Sequence, residues 1–331
     1  MNLFDKLPKP FFVLAPMDDV TDTVFRQVVQ STHAPDLFYT EFVNVDGLQS
    51  PGRPNLLKKT RFVEAEKSLI LQLWGLKPEN FRKTAQQVAD GSLAKELGLP
   101  DGCNFIGIDL NMGCPAKGEV KNGACSALMM NRPLAEEIIK ATQEGARSGG
   151  QDISVSVKTR LGFHTIDHTW AEFLLSQKLN MLTIHGRTKK EMSKVPAHWD
   201  EIGKVRELRD ALAPDTLIVG NGDVVDHAEG VALAKKYGLD GIMIGRGVFH
   251  DPFVFAEQSN WEQVSRADRI ELYRQHVSLF AQTWLHNERP IHTLNKFCKI
   301  YINGFDGAKE LREHLMAADS TAELLTILDN A

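Results

Sequence analysis

Residues 105–115 read FIGIDLNMGCP, an apolar run that stops at Asn111, Gly113, Cys114 and Pro115. A run this short, closed by turn-forming residues, has the shape of a strand covered on both faces. The same shape recurs on either side. FFVLAPM (11–17), LFYTEFV (37–43) and LILQLWG (69–75) precede it; ISVSVKT (153–159), MLTIHG (181–186), LIVGNG (217–222) and GIMIGR (241–246) follow it. Between these runs, Pro78–Ala89, Pro133–Ser148, His168–Leu179, Asp200–Leu212 and Asp226–Tyr237 carry helical spacing. Pro78 and Pro133 fall where a first helical turn tolerates proline, and Gly238 falls where a helix commonly ends. Eight strands alternating with helices over about 250 residues predict an α/β fold of the (β/α)8 TIM-barrel type. A doubly wound sheet is disfavoured because no G-x-G-x-x-G follows the first strand.

Beyond Asn260 the pattern changes to helices alone: Arg269–Trp284, Leu294–Ile302, Ala308–Met316 and Thr321–Leu328. The expected organisation is a barrel domain over residues 1–258 and a small all-helical domain over 259–331. The chain has 331 residues, 43% of them hydrophobic, which suffices for one large core and one small one. No uncharged apolar run approaches ~18 residues, so no membrane helix is expected. The opening MNLFDKLPKPFFVLAPM lacks the basic and apolar regions of a signal peptide. The four cysteines, Cys103, Cys114, Cys125 and Cys298, include no C-x-x-C pair, so neither zinc nor an iron–sulfur cluster is expected and a reducing, cytoplasmic setting fits. The absence of coiled-coil heptads favours a monomer.

The placement of polar residues carries the functional argument, because TIM-barrel chemistry sits at the C-terminal ends of the strands. Those ends hold Pro16-Met17, Gln72, Asn111, Lys158 and Arg160, His185, Asn221-Gly222-Asp223, and Gly245-Arg246. Each is unremarkable alone: N-G-D and G-R-G are ordinary turns, and a lone Lys158 or His185 is more often a solvated or hydrogen-bonded side chain. In register on one rim they form a polar, cationic mouth suited to an anionic, hydrogen-bonding cofactor. Glycines after the last two strands let bare backbone N–H groups approach a phosphate, and Arg246 adds a charged donor. Lys158 or His185 at the electron-rich edge of a flavin would stabilise its reduced anion. Cys114, between a glycine and a proline, is held over the mouth. An ordinary thiol titrates at ~8.5, so it keeps its proton at neutral pH and can serve as a general acid. Cys103, Cys125 and Cys298 have no such setting, although Cys125 can approach the same loop.

Taken in order, Ala15-Pro16-Met17 with Val20-Thr21-Asp22, Asn111-x-Gly113-Cys114-Pro115, Val157-Lys158-x-Arg160-x-Gly162, His185-Gly186-Arg187-Thr188, Asn221-Gly222-Asp223 and Gly245-Arg246-Gly247 resemble the tRNA-dihydrouridine synthases. The resemblance is close over residues 10–258 and looser in the tail. It implies FMN as cofactor, NADPH as reductant, and as substrate a uridine in tRNA, reduced at its C5–C6 double bond. It further implies that Cys114 protonates C5, that Asn111 and Arg160 lie near the uracil, and that the remaining rim residues line the FMN site, with no metal. The helical domain would then grip tRNA. Two short basic runs, Arg53–Arg61 and His286–Lys299, are candidate contacts, although a formal net charge of −5 argues mildly against a nucleic-acid partner.

Two departures from the family pattern stand out. Asp18-Asp19 replaces an expected glycine before Val20, and Lys189–Trp199 lacks a glycine expected before Pro196. The competing readings are an FMN barrel acting on a small molecule, such as a dihydroorotate dehydrogenase or an ene-reductase, and a non-catalytic RNA-binding barrel.

Overall fold

A computed structural model describes residues 3–151 and 153–331; Met1 and Asn2, which open the stretch read for a signal peptide, lie outside them. The chain forms two compact units. The larger runs to Asp22 and resumes over Pro35–Gly245; the smaller joins Thr23–Ala34 to Arg246–Ala331.

The larger unit is the barrel. Its strands are β1 (Phe11–Leu14), β2 (Phe38–Tyr39), β3 (Val43–Asn44), β4 (Leu69–Trp74), β5 (Gly107–Met112), β6 (Ser154–Arg160), β7 (Met181–His185), β8 (Leu217–Asn221) and β9 (Gly241–Ile244). All pair in parallel, in the order β1-β9-β8-β7-β6-β5-β4-β2, with β3 also on β4. The ring closes where Leu14 N–H donates to Leu37 C=O (3.0 Å) and Leu37 N–H to Phe12 C=O (3.2 Å). The barrel expectation is therefore met, with helices between the strands as spacing required: Pro78–Ala89, Arg132–Ser148, His168–Leu175, Trp199–Leu212 and His227–Tyr237.

The run expected as a single strand over 37–43 is two short strands. Between them the hydroxyl of Thr40 accepts from Gln72 N–H (3.0 Å) and donates to the Glu41 carbonyl (2.7 Å). A side-chain oxygen thus takes the place of a ladder carbonyl, and regular pairing breaks.

The barrel interior is apolar towards the strand N-termini. Phe11, Val13, Leu37, Tyr39, Ile70, Met181, Val219 and Met243 pack there, with Phe4 against them. Alternate residues on a strand share a face. Gln72 therefore lies on the side of Ile70, and Thr183 and His185 on the side of Met181, so the inward face turns polar towards the C-terminal ends.

The smaller unit is helical, with Thr23–His33, Arg266–Thr283, Asn295–Tyr301, Ala308–Ala317 and Thr321–Asp329 as its main helices and no strand among its described residues. Ser265 and Ser320 cap two of them through their hydroxyls, which accept from Asp268 and Glu323 N–H. Phe25, Phe249, His276 and Phe297 form an aromatic core, with Phe25 and Phe297 at 4.9 Å. Among the described residues no helix is long and apolar enough to cross a membrane.

Candidate active site

Parallel register assembles one side of the rim. It sets Gln72 beside Asp109, Asn111 beside Lys158, Arg160 beside His185, and His185 beside Asn221. Partners at one level point the same way, so these side chains converge inside the barrel mouth.

The Asn111–Cys114 turn is held by the Asn111 side chain, whose Oδ1 accepts from Gly113 N–H (3.2 Å) and Cys114 N–H (2.9 Å). Its Nδ2 donates to Gln72 Oε1 (3.2 Å). Gly113 sits close against the next strand: a Cβ there would lie 3.1 Å from the Thr159 backbone, which would have to give by a few tenths of an ångström. Cys114 is partly exposed and Cys125 is buried, both as free thiols. Ser126 N–H donates to the Cys114 carbonyl (3.3 Å), which brings the second cysteine under the first. Cys125 takes a left-handed backbone (φ 54°) to do so. Hydrogen bonding from the Cys125 thiol, aided by the Ala116 N–H, draws Cys114 below the usual thiol range; that bond and burial push Cys125 above it. Cys125 therefore supports the Cys114 turn, as its proximity in sequence allowed.

Lys158 projects from β6 among these groups. Its ammonium donates to Asn221 Oδ1 (3.2 Å), and Asn221 in turn donates to the Met243 carbonyl (2.8 Å). No carboxylate stands within ion-pair distance of it among the described residues. Burial, with the Arg160 guanidinium adding to it, lowers Lys158 to about 8.

Arg160 and Arg187 are braces. Arg160 donates from Nε to the Gly113 carbonyl (2.9 Å) and from Nη1 to the carbonyls of Thr188 (3.2 Å) and Met192 (3.0 Å). It therefore ties the cysteine turn to the 188–198 loop, and burial holds it down to about 10. Arg187, 3% exposed, donates to the Val195 carbonyl and pairs with Asp223. Asp223 also accepts from Ala197 N–H (3.1 Å). Its carboxylate is thus engaged within the protein. Gly222 beside it has φ 136°, and a Cβ there would sit 2.8 Å from the Ala197 Cβ, so only glycine fits that turn.

On the far side of the mouth, Pro16 and Met17 follow β1. Met17 N–H donates to the Thr21 hydroxyl (2.9 Å), and Met17 Sδ lies 3.9 Å from where a Cβ on Gly245 would stand. Arg246 opens the helical unit as the first residue of a 3-10 turn. Gln72 has no exposed surface; its amide is taken up by Asn111 and Asp109.

The first departure acquires a physical account. Asp19, where the glycine was expected, adopts φ 55°, the left-handed conformation glycine takes freely and aspartate tolerates. Asp18 pairs with Lys59, which also lies within 4.0 Å of Asp19 and Glu41, so the two carboxylates face a cation. In the second loop Met192 takes the left-handed backbone (φ 56°), and Glu191 accepts from Thr188 N–H (2.7 Å) and pairs with His198 (3.0 Å).

The basic runs are thinner than their sequence. Arg53 is bound to Glu96 and to the Leu48 carbonyl, and Lys59 to Asp18. Arg289 is buried, its guanidinium 4.8 Å from the Trp284 ring centre. His286, His292, Lys296 and Lys299 are exposed. Sequence reasoning missed Asp109 and Ser156; their signal was a carboxylate and a hydroxyl alternating with Ile108, Leu110, Val155 and Val157, on the same strand faces as Asn111 and Lys158.

The family model described as Dihydrouridine synthase (Dus) matches residues 13–331. A "Probable tRNA-dihydrouridine synthase" of Staphylococcus aureus (strain COL) is 44% identical over 99% of this chain and 95% of its own length. A "Probable tRNA-dihydrouridine synthase 2" of Bacillus subtilis (strain 168) is 43% identical over 99% and 96%. Among solved structures, a morphinone reductase in complex with tetrahydroNAD aligns at 14% identity and a TM-score of 0.47, over 74% of this chain and 85% of that one.

Proposed function

Because the chain belongs to the dihydrouridine synthase family, we propose that it reduces the C5–C6 double bond of a specific uridine in tRNA, with FMN as cofactor and NADPH as reductant. FMN, when bound and reduced by NADPH, supplies the hydride to C6. The observation that carries the reading is Lys158: a partly buried ammonium whose one hydrogen bond is to a neutral amide, on the rim that also holds the Cys114 turn. Such a cation fits an anionic ligand. Gly222, Gly245 and Arg246 supply the phosphate side of the FMN site, Pro16 and Met17 its flank, and His185, Asn221, Asp223 and Gln72 complete its wall, the last two through the groups they hold.

Addition of hydride at C6 builds negative charge on C5 and O4. Cys114 delivers a proton to C5. Asn111 retains one amide N–H and Arg160 its Nη2 to face a uracil carbonyl, which stabilises that charge. The base must leave its stack to reach the mouth. Residues 259–331 hold the tRNA body through His286, His292, Lys296 and Lys299. The protein acts as a cytoplasmic monomer.

The test incubates the purified protein with NADPH and unmodified tRNA transcript and weighs the digested nucleosides. A uridine heavier by about 2 Da at one position is the expected product. Cys114→Ala should keep the yellow colour and NADPH oxidation and lose most uridine reduction. A yellow protein that oxidises NADPH and leaves every uridine intact overturns the reading in favour of a small-molecule flavin reductase.

A further inference from the structure

A carboxylate with no exposed surface lies beneath the mouth. Asp109, on β5, accepts from Gln72 Nε2 (2.7 Å) at Oδ2 and from the Ser156 hydroxyl (2.6 Å) at Oδ1. Gln72 Oε1 accepts from Asn111 Nδ2, and Asn111 Oδ1 accepts from Gly113 and Cys114 N–H. An amide flip exchanges donor for acceptor, so in isolation either amide has two orientations. This chain permits one. Its upper end is a pair of backbone N–H groups, which can only donate. Its lower end is a carboxylate that burial raises to about 6, so above that pH it is ionised and can only accept. Both intervening amides are therefore oriented by their termini, and each keeps one further N–H outside the chain.

We propose that Asp109 is a positioning residue: through Gln72 and Asn111 it fixes the Gly113–Cys114 turn, and with it the place of the thiol. This rests on the reading of Cys114 as proton donor for its functional consequence, but not for the structural one. Without an acceptor at Asp109, Gln72 can reverse, its oxygen no longer meets Asn111, and the side chain that holds the turn loses its director. Asparagine at this position is a special case. Its Oδ1 can still accept from Gln72, and its Nδ2 can donate to the Ser156 hydroxyl, which rotates to accept. Asp109→Asn therefore removes the charge and keeps the polarity of the chain, whereas Asp109→Leu removes both.

The test compares these two variants by the rate at which iodoacetamide alkylates Cys114 in flavin-free protein, followed by peptide mass analysis across pH. Asp109→Leu should alkylate about fivefold faster, the change in local opening expected from one net hydrogen bond, while Asp109→Asn stays within about twofold of the parent. In the flavin-loaded protein, single-turnover uridine reduction should fall about 10- to 100-fold in Asp109→Leu, with NADPH oxidation preserved. If Asp109→Leu does not fold, Gln72→Met, which cuts the chain at its middle, carries the alkylation comparison alone, in flavin-free protein. A folded Asp109→Leu or Gln72→Met protein whose Cys114 alkylates at the parental rate overturns the proposal. So does an Asp109→Asn protein as altered as Asp109→Leu, since charge rather than polarity would then govern. If alkylation responds as expected but Cys114→Ala still reduces uridine, the positioning role stands and the proton-donor assignment fails.

Discussion

Replacing Lys158 by methionine should make the flavin-free protein more stable and its cofactor site worse. Burial holds the ammonium at about 8 against an ordinary 10.5, a difference that corresponds to ~3 kcal/mol of unfavourable interaction in the charged form. Methionine fills a similar volume without that charge. The exchange also strands Asn221 Oδ1, which accepts from Lys158 and loses ~1 kcal/mol with it. The net expectation is a gain of ~2 kcal/mol at pH 7. The pH dependence supplies the decisive sign. Between about pH 8 and 10.5 the unfolded chain holds a proton on Lys158 that the native protein has released, so the parent gains stability as pH rises through that window. The variant has no such gain, and its advantage should vanish by about pH 10. Urea unfolding of flavin-free parent and variant at pH 7 and pH 10 reads this directly. A variant less stable at pH 7, or a difference equal at both values, would show that Lys158 is not the costly buried cation described. With FMN added, the same variant should bind more weakly and lower the reduction potential of the flavin.

Three further outcomes follow from other sites. Arg187→Ala removes the guanidinium from Asp223 and from the Val195 carbonyl and should cost ~2 kcal/mol in urea unfolding; a loss below ~0.5 kcal/mol would mean that the brace is idle. Asp19→Val places a β-branched residue at φ 55° and should cost ~1–2 kcal/mol more than Asp19→Gly, since both lose the carboxylate near Lys59; equal melting temperatures for the two would refute the strain argument. In the helical unit, burial lowers His276 to about 3. The unfolded chain gains a proton near pH 6.5 that the native protein refuses, so stability present above that value is lost as pH falls towards 3. His276→Gln should flatten acid unfolding between pH 6 and 4, and an unchanged acid profile would locate the sensitivity elsewhere.

The barrel was legible because its strands are short, apolar and regularly interrupted, which needs no knowledge of partners. The helix Pro78–Ala89 begins at the proline that announces it. What could not be read was anything set by contact across the barrel. Thr40 takes over a ladder position through its hydroxyl, a choice that depends on Gln72 from another strand. Arg53, Lys59 and Arg289 look like a basic surface in sequence, and only the fold shows that Glu96, Asp18 and Trp284 claim them. Within the site, the rim positions were legible from their place at strand ends. The use of Arg160 as a brace and the engagement of Asp223 by Arg187 were not, because each depends on a loop whose path short-range patterns do not determine; nor was the depth of Gln72, which depends on side chains of the neighbouring strand.

The smaller unit is discontinuous in sequence, since Thr23–Ala34 lies between the first two strands while its packing partners begin at Arg246. During synthesis this helix is made before every barrel strand but the first, whereas the other helices of its own unit follow the last strand. Its Phe25 face, buried in the folded unit, must be shielded or remain loosely structured while the intervening strands are made. The same arrangement constrains recombination between relatives. A tail exchanged at a single crossover near residue 258 would meet a foreign Phe25 helix, so a tail and residues 23–34 are inherited as a pair.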